Sequence, residues 1–201
     1  MYDWRRMSNE DRRKLLEKRR ALGQPWHSTP HRDWGPGRYH LTAACYEHRP
    51  IIGASPDRMN ECESRLLELL KAHARAVSAW CVLPNHYHLL FETEDVLLLT
   101  AAIGEFHGRQ SYLWNGEDGT RGRKVWCNCV ERAMRSERHF WATMNYVHHN
   151  PVHHRYVGCW QDWPYSSARE FLDRAGKAEA ERLWRDFPIR DYGKGWDDPE
   201  M

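Results

Sequence analysis

Two histidines in the stretch LPNHYHLLFET, residues 83–93, are spaced for shared chemistry. His86 and His88 follow a Pro-Asn pair and lead into an apolar run that is typical of a β-strand. Successive side chains of a strand point to opposite faces, so these two imidazoles should share one face. Two imidazoles on one face can bind a single metal ion. A pair of this kind more often faces solvent, so a metal site here requires further ligands and a reacting group.

A second set of reactive residues lies in MNYVHHNPVHH, residues 144–154. Tyr146 and Asn150 are four positions apart in a helix that the pattern predicts over 136–150 and that Pro151 should end. Residues at this spacing share a helix face. An asparagine carbonyl is a hard ligand for Mg²⁺ or Mn²⁺, and a phenol can act as a covalent nucleophile. Without a companion site, a core tyrosine and a helix-capping asparagine would be the better interpretation.

Together the two segments would supply an incomplete metal shell, whose open positions can accept phosphate oxygens. A tyrosine one helical turn from such an ion could attack phosphorus, because positioning and charge stabilisation supply most of phosphoryl-transfer catalysis. Tyr87, between the two histidines, should point to the opposite face and is therefore rejected as the nucleophile.

The elements that position these residues follow from periodicity and from turn residues. The pattern predicts strands over 38–47 and 124–134, a hairpin over 78–92 that turns at Pro84-Asn85, and helices over 57–76, 95–113 and 136–150. Further helices are expected at 8–22, with Ser8 as N-cap, and at 165–176. This order predicts an α+β fold whose sheet is at least partly antiparallel, with helices on one face.

Composition narrows the class of protein. The chain has 201 residues and a net charge of +2, but residues 1–38 hold ten Lys and Arg against five Asp and Glu. Such a basic arm could bind a phosphate backbone, or it could be a solvated helix face. The longest apolar run, VLLLTAAI at 96–103, is too short for a membrane span. The six cysteines show no CxxC pair, so we expect reduced thiols and a cytoplasmic protein without membrane partners.

At this point the motifs resemble a known family. LPNHYHLLFE resembles the histidine–hydrophobe–histidine (HUH) motif of single-strand DNA nucleases. NYVHHNPVHHRYV followed by DWPYSSAREF resembles the C-terminal half of REP-associated tyrosine transposases, which are relatives of the single-tyrosine transposases of small insertion sequences. The resemblance covers about residues 26–196.

The resemblance implies a ferredoxin-like antiparallel sheet with helices packed on it, the HUH motif on a central strand and helical arms at both ends. It implies that His86, His88 and Asn150 bind Mg²⁺ (or Mn²⁺), and that Tyr146 forms a 5′-phosphotyrosine. The expected activity is a metal-dependent single-strand DNA endonuclease and strand transferase, a transposase that acts on hairpin-forming palindromic DNA as a monomer or homodimer. The alternatives are a catalytically silent hairpin-binding protein and a nuclease of the relaxase or replication-initiator type.

The domain prediction has three parts. Residues 1–25 form a basic helical arm that the resemblance does not cover, 26–160 the catalytic domain, and 161–201 a C-terminal helical extension and tail. Basic side chains near the tyrosine helix and in the arm are the predicted DNA contacts: Arg132, Arg135, Arg138, Arg5, Arg6, Arg12 and Arg13. For each of these, solvated surface is an equally good interpretation. The same two interpretations apply to His107 and Arg109, which lie on the helix after the strand that carries His86 and His88.

Overall fold

The computed structural model describes residues 7–21 and 34–190. In chain order the elements are α1 (Asn9–Ala21), β1 (Gly37–Ala44), α2 (Pro56–His73), β2 (Ala76–Val82), β3 (His86–Thr93), α3 (Val96–Glu117), β4 (Val130–Ala133), α4 (Glu137–His153), α5 (Ala168–Ala175) and α6 (Lys177–Asp186). The predicted N-cap of α1 is present, because Ser8 Oγ accepts a hydrogen bond from the Asp11 amide at 3.1 Å.

The four strands form one antiparallel sheet in the order β2-β3-β1-β4. The two predicted hairpin strands are β2 and β3, which turn at Pro84-Asn85. Strand β3 lies between β2 and β1, so the HUH motif occupies a central strand. A β-α-β-β-α-β order with this strand arrangement is the ferredoxin-like fold, and the predicted fold class is therefore confirmed.

Helices cover both faces of the sheet, so the prediction of helices on one face was wrong. Tyr87, Leu89 and Phe91 belong to the larger core cluster, which includes residues of α2 and α3. Leu90 belongs to a second cluster with Phe140 of α4 and with residues of α5 and α6. Almost every side chain of β3 is buried, because the side chains on each face of this central strand pack against helices.

The outer edge of β2 is covered by residues 165–167, named here the edge cover. The Val82 amide donates to the Tyr165 carbonyl at 2.8 Å, and the Ser167 amide donates to the Trp80 carbonyl at 3.0 Å. The edge cover leads directly into α5, so the C-terminal helices are attached to the sheet by backbone hydrogen bonds. Residues predicted as a C-terminal extension thus complete the core on the α4 side.

Two predicted boundaries differ from the structure. Pro151 lies inside α4, which continues to His153, so the prediction that it ends the helix was wrong. A proline this close to the C-terminus removes only one amide donor from the helix ladder, which limits its effect. The strand predicted over 124–134 is regular only at Val130–Ala133, preceded by an isolated bridge between Cys45 and Trp126.

The six cysteines are free thiols and five of them are buried. In the described part of the chain, no helix is both long and apolar enough to cross a membrane.

Candidate active site

The two histidines of the HUH motif lie side by side on the sheet face that α4 covers. His86 is 1% exposed and His88 is fully buried. Their ring centroids are 5.0 Å apart. Strand alternation alone accounts for this shared face.

Helix α4 brings the other two predicted residues to the histidines. Asn150 Oδ1 lies 3.0 Å from His86 Nε2. The Tyr146 ring packs edge-on against the His88 ring, with centroids 5.1 Å apart, and Tyr146 is 6% exposed. All four residues predicted for metal binding and catalysis therefore lie in one cluster.

Asn85 sets the proton position on His86. Its side-chain Nδ2 donates to the His48 carbonyl at 3.1 Å, which fixes the orientation of the amide. Asn85 Oδ1 therefore faces His86 Nδ1, 2.7 Å away, and accepts a hydrogen bond from the N–H of that nitrogen. In a neutral imidazole, Nε2 is then the nitrogen that carries the lone pair.

The donor set fits a divalent cation. His86 Nε2 offers a lone pair and faces the Asn150 carbonyl oxygen, which offers another, at 3.0 Å. Two acceptors that face each other repel. The repulsion is removed if a cation binds between them, or if the Asn150 amide rotates so that its NH₂ group faces His86 Nε2. Asn150 Nδ2 has no hydrogen-bond partner in the described structure, although it is buried. Within residues 7–21 and 34–190, no group of three or more His, Cys, Asp and Glu is placed to hold a metal, so Asn150 would have to complete the shell.

His40 is a member of the cluster that the sequence analysis missed. It lies on β1, is 1% exposed, and its Nε2 is 3.2 Å from His88 Nδ1. Its ring centroid is 6.0 Å from that of Tyr146. Because β1 pairs Thr42 with His88, His40 falls on the same face. The sequence did show a histidine within a predicted strand. Placing that histidine beside His88 requires the pairing register of the two strands.

Tyr87 points to the other side of the sheet, as predicted. Its hydroxyl hydrogen-bonds His107 Nε2 at 2.8 Å, and burial raises the pKa of the phenol well above its usual value. His107 stacks on Trp126 with centroids 4.2 Å apart, and burial lowers its pKa to about 3. The interpretation of His107 as a phosphate contact was therefore wrong, because the ring is part of the core.

Three of the predicted basic contacts, Arg132, Arg135 and Arg138, are exposed near the start of α4. Burial, followed by the charges of Arg132 and Arg135, lowers the pKa of His139, which indicates a locally positive surface. Arg12 and Arg13 lie on α1, with Arg13 exposed. Arg5 and Arg6 lie outside the described residues.

His148 and His154, near the end of α4, contact different parts of the protein. His148 is buried, with its Nε2 2.9 Å from Ser167 Oγ, so it connects α4 to the edge cover. His154, at the end of the helix, packs against His86 with ring centroids 4.9 Å apart.

Known proteins resemble this chain in sequence and in fold. No family model matches the sequence. A Haemophilus influenzae protein that is provisionally named a REP-associated tyrosine transposase is 29% identical over 128 residues, which cover 55% of this chain and 69% of that protein. A solved structure of a REP-associated tyrosine transposase bound to a REP hairpin matches with a TM-score of 0.55 and 19% identity, over 73% of this chain and 86% of that one.

The fold, an antiparallel sheet with helices packed on it, matches that of the REP-associated tyrosine transposase structure. More narrowly, the chain is similar in sequence and in fold to the REP-associated tyrosine transposases, which confirms the resemblance predicted from its motifs.

Proposed function

We propose that this protein is a metal-dependent, single-strand DNA endonuclease and strand transferase that acts on hairpin-forming DNA. The observation that carries the proposal is the cluster in which Tyr146 packs on His88 while Asn150 faces His86. The similar proteins support it, since one is named a transposase and the other is a transposase bound to a DNA hairpin.

His86, His88 and Asn150 would hold Mg²⁺ or Mn²⁺. When bound, such an ion neutralises charge on the scissile phosphate and on the leaving oxygen. The chain itself fixes the ligands: Asn85 orients the His86 ring, and His40 contacts the ring of His88. Holding ligands in place through such outer contacts is a general feature of metal sites.

Tyr146 would be the nucleophile. Its phenol gives up a proton to solvent as its oxygen bonds to phosphorus, and the bond between phosphorus and the 3′-oxygen breaks. That oxygen takes up a proton and leaves as a 3′-OH, while the 5′ end stays attached as a phosphotyrosine. Attack by another 3′-OH reverses the step, frees the tyrosine and joins two strands.

Burial of the cluster favours a single-stranded target. Tyr146 is 6% exposed, and the two HUH histidines are at most 1% exposed. Only a thin, flexible backbone can bring a phosphate to side chains this enclosed, and unpaired flanks of a hairpin have that property. The exposed arginines at the start of α4 would bind phosphates of the same DNA.

The test is covalent trapping on hairpin oligonucleotides with single-stranded flanks, drawn from DNA around the gene, in the presence of Mg²⁺. We expect a protein–DNA adduct with the natural protein and with Tyr112→Phe, a control on the surface of α3 where Tyr112 is 67% exposed. Tyr146→Phe should give no adduct. Persistence of the adduct in Tyr146→Phe would overturn the nucleophile assignment. Hairpin binding without cleavage in any divalent metal would identify a silent binding protein instead.

A further inference from the structure

The turn that follows α4 is held in one conformation. The Arg155 amide donates to the Val152 carbonyl at 3.0 Å, and the Tyr156 amide donates to the Pro151 carbonyl at 2.9 Å. This pair of bonds is the Schellman motif, in which the residue after the helix adopts the left-handed conformation. That residue here is Arg155, with φ of 62°, where glycine would be usual. The motif fixes Tyr156 relative to the helix that carries Tyr146 and Asn150.

A row of rings leads from the candidate active site to the surface at this turn. The His154 ring packs against His86 at 4.9 Å and lies 6.4 Å from the Tyr156 ring. Tyr156 in turn packs on Trp163 at 5.3 Å, and Trp163 Nε1 donates to the Val82 carbonyl at 2.8 Å. Tyr156 thus packs against an anchored side chain on its inner side, while 43% of its surface is exposed.

The chemistry of this turn suits an unpaired nucleotide. Aromatic side chains stack on single-stranded bases of any sequence because each base has a π-face. Arg155 beside the ring is exposed and supplies a positive charge for the adjoining phosphate. A supported ring loses little freedom on binding, which favours affinity. By contrast, the exposed Tyr112 lies on α3, the helix on the opposite side of the sheet.

We propose that Tyr156 and Arg155 form a binding subsite for one unpaired nucleotide of single-stranded DNA, next to the phosphate that Tyr146 attacks. Tyr156 stacks on the base and Arg155 binds the phosphate. This inference rests on the proposed function, because it places a DNA strand across the cluster. It adds a base-stacking position on the turn after α4.

The experiment measures equilibrium binding of the full chain to fluorescent DNA in EDTA, so that no cleavage occurs. One probe is a hairpin with a single-stranded flank, and the other is the same hairpin without the flank. For the flanked probe, Tyr156→Ala should raise Kd by a factor between about five and about 150, the effect of removing one stacking ring. Tyr156→Phe should bind like the natural protein, and Tyr112→Ala is the matched control that should also leave binding unchanged.

The blunt hairpin separates stacking from damage to the fold. Its Kd should be the same for Tyr156→Ala and the natural protein. Tyr156→Leu keeps apolar contact with Trp163 but has no ring. If the alanine variant misfolds, the leucine variant therefore tests whether the ring is needed for binding. Arg155→Ala should reduce the magnitude of the slope of log K against log salt by about 0.7 for the flanked probe, as expected for one lost contact with a single-strand phosphate.

Failure of the subsite and failure of the proposed function are distinguishable. The subsite is overturned if Tyr156→Ala and Tyr156→Leu bind flanked DNA with the Kd of the natural protein. It is also overturned if these variants weaken binding of the flanked and blunt probes equally. Either conclusion holds even if Tyr146 forms an adduct. If the flank-specific loss is found but no adduct ever forms, the subsite stands and the catalytic proposal fails.

Discussion

His86 Nε2 and Asn150 Oδ1 lie 3.0 Å apart although 64 positions separate them in the chain. This contact joins the central strand of the sheet to the helix that carries Tyr146. The proposed binding of a divalent metal is the property that depends most directly on this contact.

Asn150→Ala should weaken Mn²⁺ binding by at least about tenfold, because it removes the oxygen that faces His86. Electron paramagnetic resonance of free Mn²⁺ measures this without DNA or turnover. His73→Ala, at the end of α2, is a control that leaves the cluster intact. Equal Mn²⁺ affinity in Asn150→Ala and the natural protein would exclude Asn150 as a ligand.

Asn85→Ala should weaken Mn²⁺ binding about 10- to 100-fold, the usual effect of removing the partner that orients a ligating imidazole. The variant frees His86 Nδ1 from its 2.7 Å contact, so the ring can adopt the wrong tautomer. Asn85→Asp keeps an acceptor at that position and should retain most of the affinity. If both variants bind equally weakly, the orienting role is wrong.

His40→Phe should reduce Mn²⁺ affinity by a similar factor, because it removes the nitrogen 3.2 Å from His88 Nδ1 while keeping an aromatic ring. His40→Gln retains hydrogen-bonding atoms and should recover part of the loss. The same titration with Mn²⁺ gives the comparison. An effect on folding alone would lower thermal stability in His40→Phe yet leave Mn²⁺ affinity unchanged.

His107 should make stability fall as the solution is acidified. Burial lowers its folded-state pKa to about 3, whereas an unfolded histidine titrates near about 6.5. Between these values the unfolded chain binds more protons, so the free energy of unfolding decreases with falling pH, by up to about 1.4 kcal/mol per pH unit.

Urea unfolding at several pH values measures this slope. His107→Gln should remove its share of the slope, although it also changes stability at neutral pH. Tyr87→Phe is the paired test, since it removes the hydrogen bond to His107 and costs roughly 1–3 kcal/mol at every pH. The slope should survive in Tyr87→Phe because its cause is burial; a slope unaffected by His107→Gln would contradict the assignment.

Arg155→Gly should raise the free energy of unfolding by up to about 1 kcal/mol, because glycine adopts the left-handed conformation without the steric cost that a Cβ imposes. The gain is partly offset by the greater freedom of glycine in the unfolded chain. Arg155→Ala is the matched control, since it loses the same charge but keeps the Cβ at φ of 62°. Equal stability of the two variants would contradict the prediction, because relief of the left-handed strain would then not exceed the entropic cost of glycine.

The parts of the site that depend on local spacing could be predicted from the sequence. Alternation along a strand places His86 beside His88, and helical spacing places Tyr146 near Asn150. His40 could not be placed in this way, because its contact with His88 depends on how β1 pairs with β3. His107 was considered a phosphate contact because of its position on the helix after the strand that carries His86 and His88; only tertiary packing places that ring between Tyr87 and Trp126.

The edge cover has a consequence for any shortened form of the protein. A chain cut after residue 160, at the predicted end of the catalytic domain, would lose the hydrogen bonds that Tyr165 and Ser167 make with β2. It would also uncover Leu90 and Phe140, which pack with residues of α5 and α6. Exposed strand backbone beside a bare apolar face invites pairing between molecules. Such a fragment should therefore precipitate during expression, even though it retains the complete histidine–tyrosine cluster.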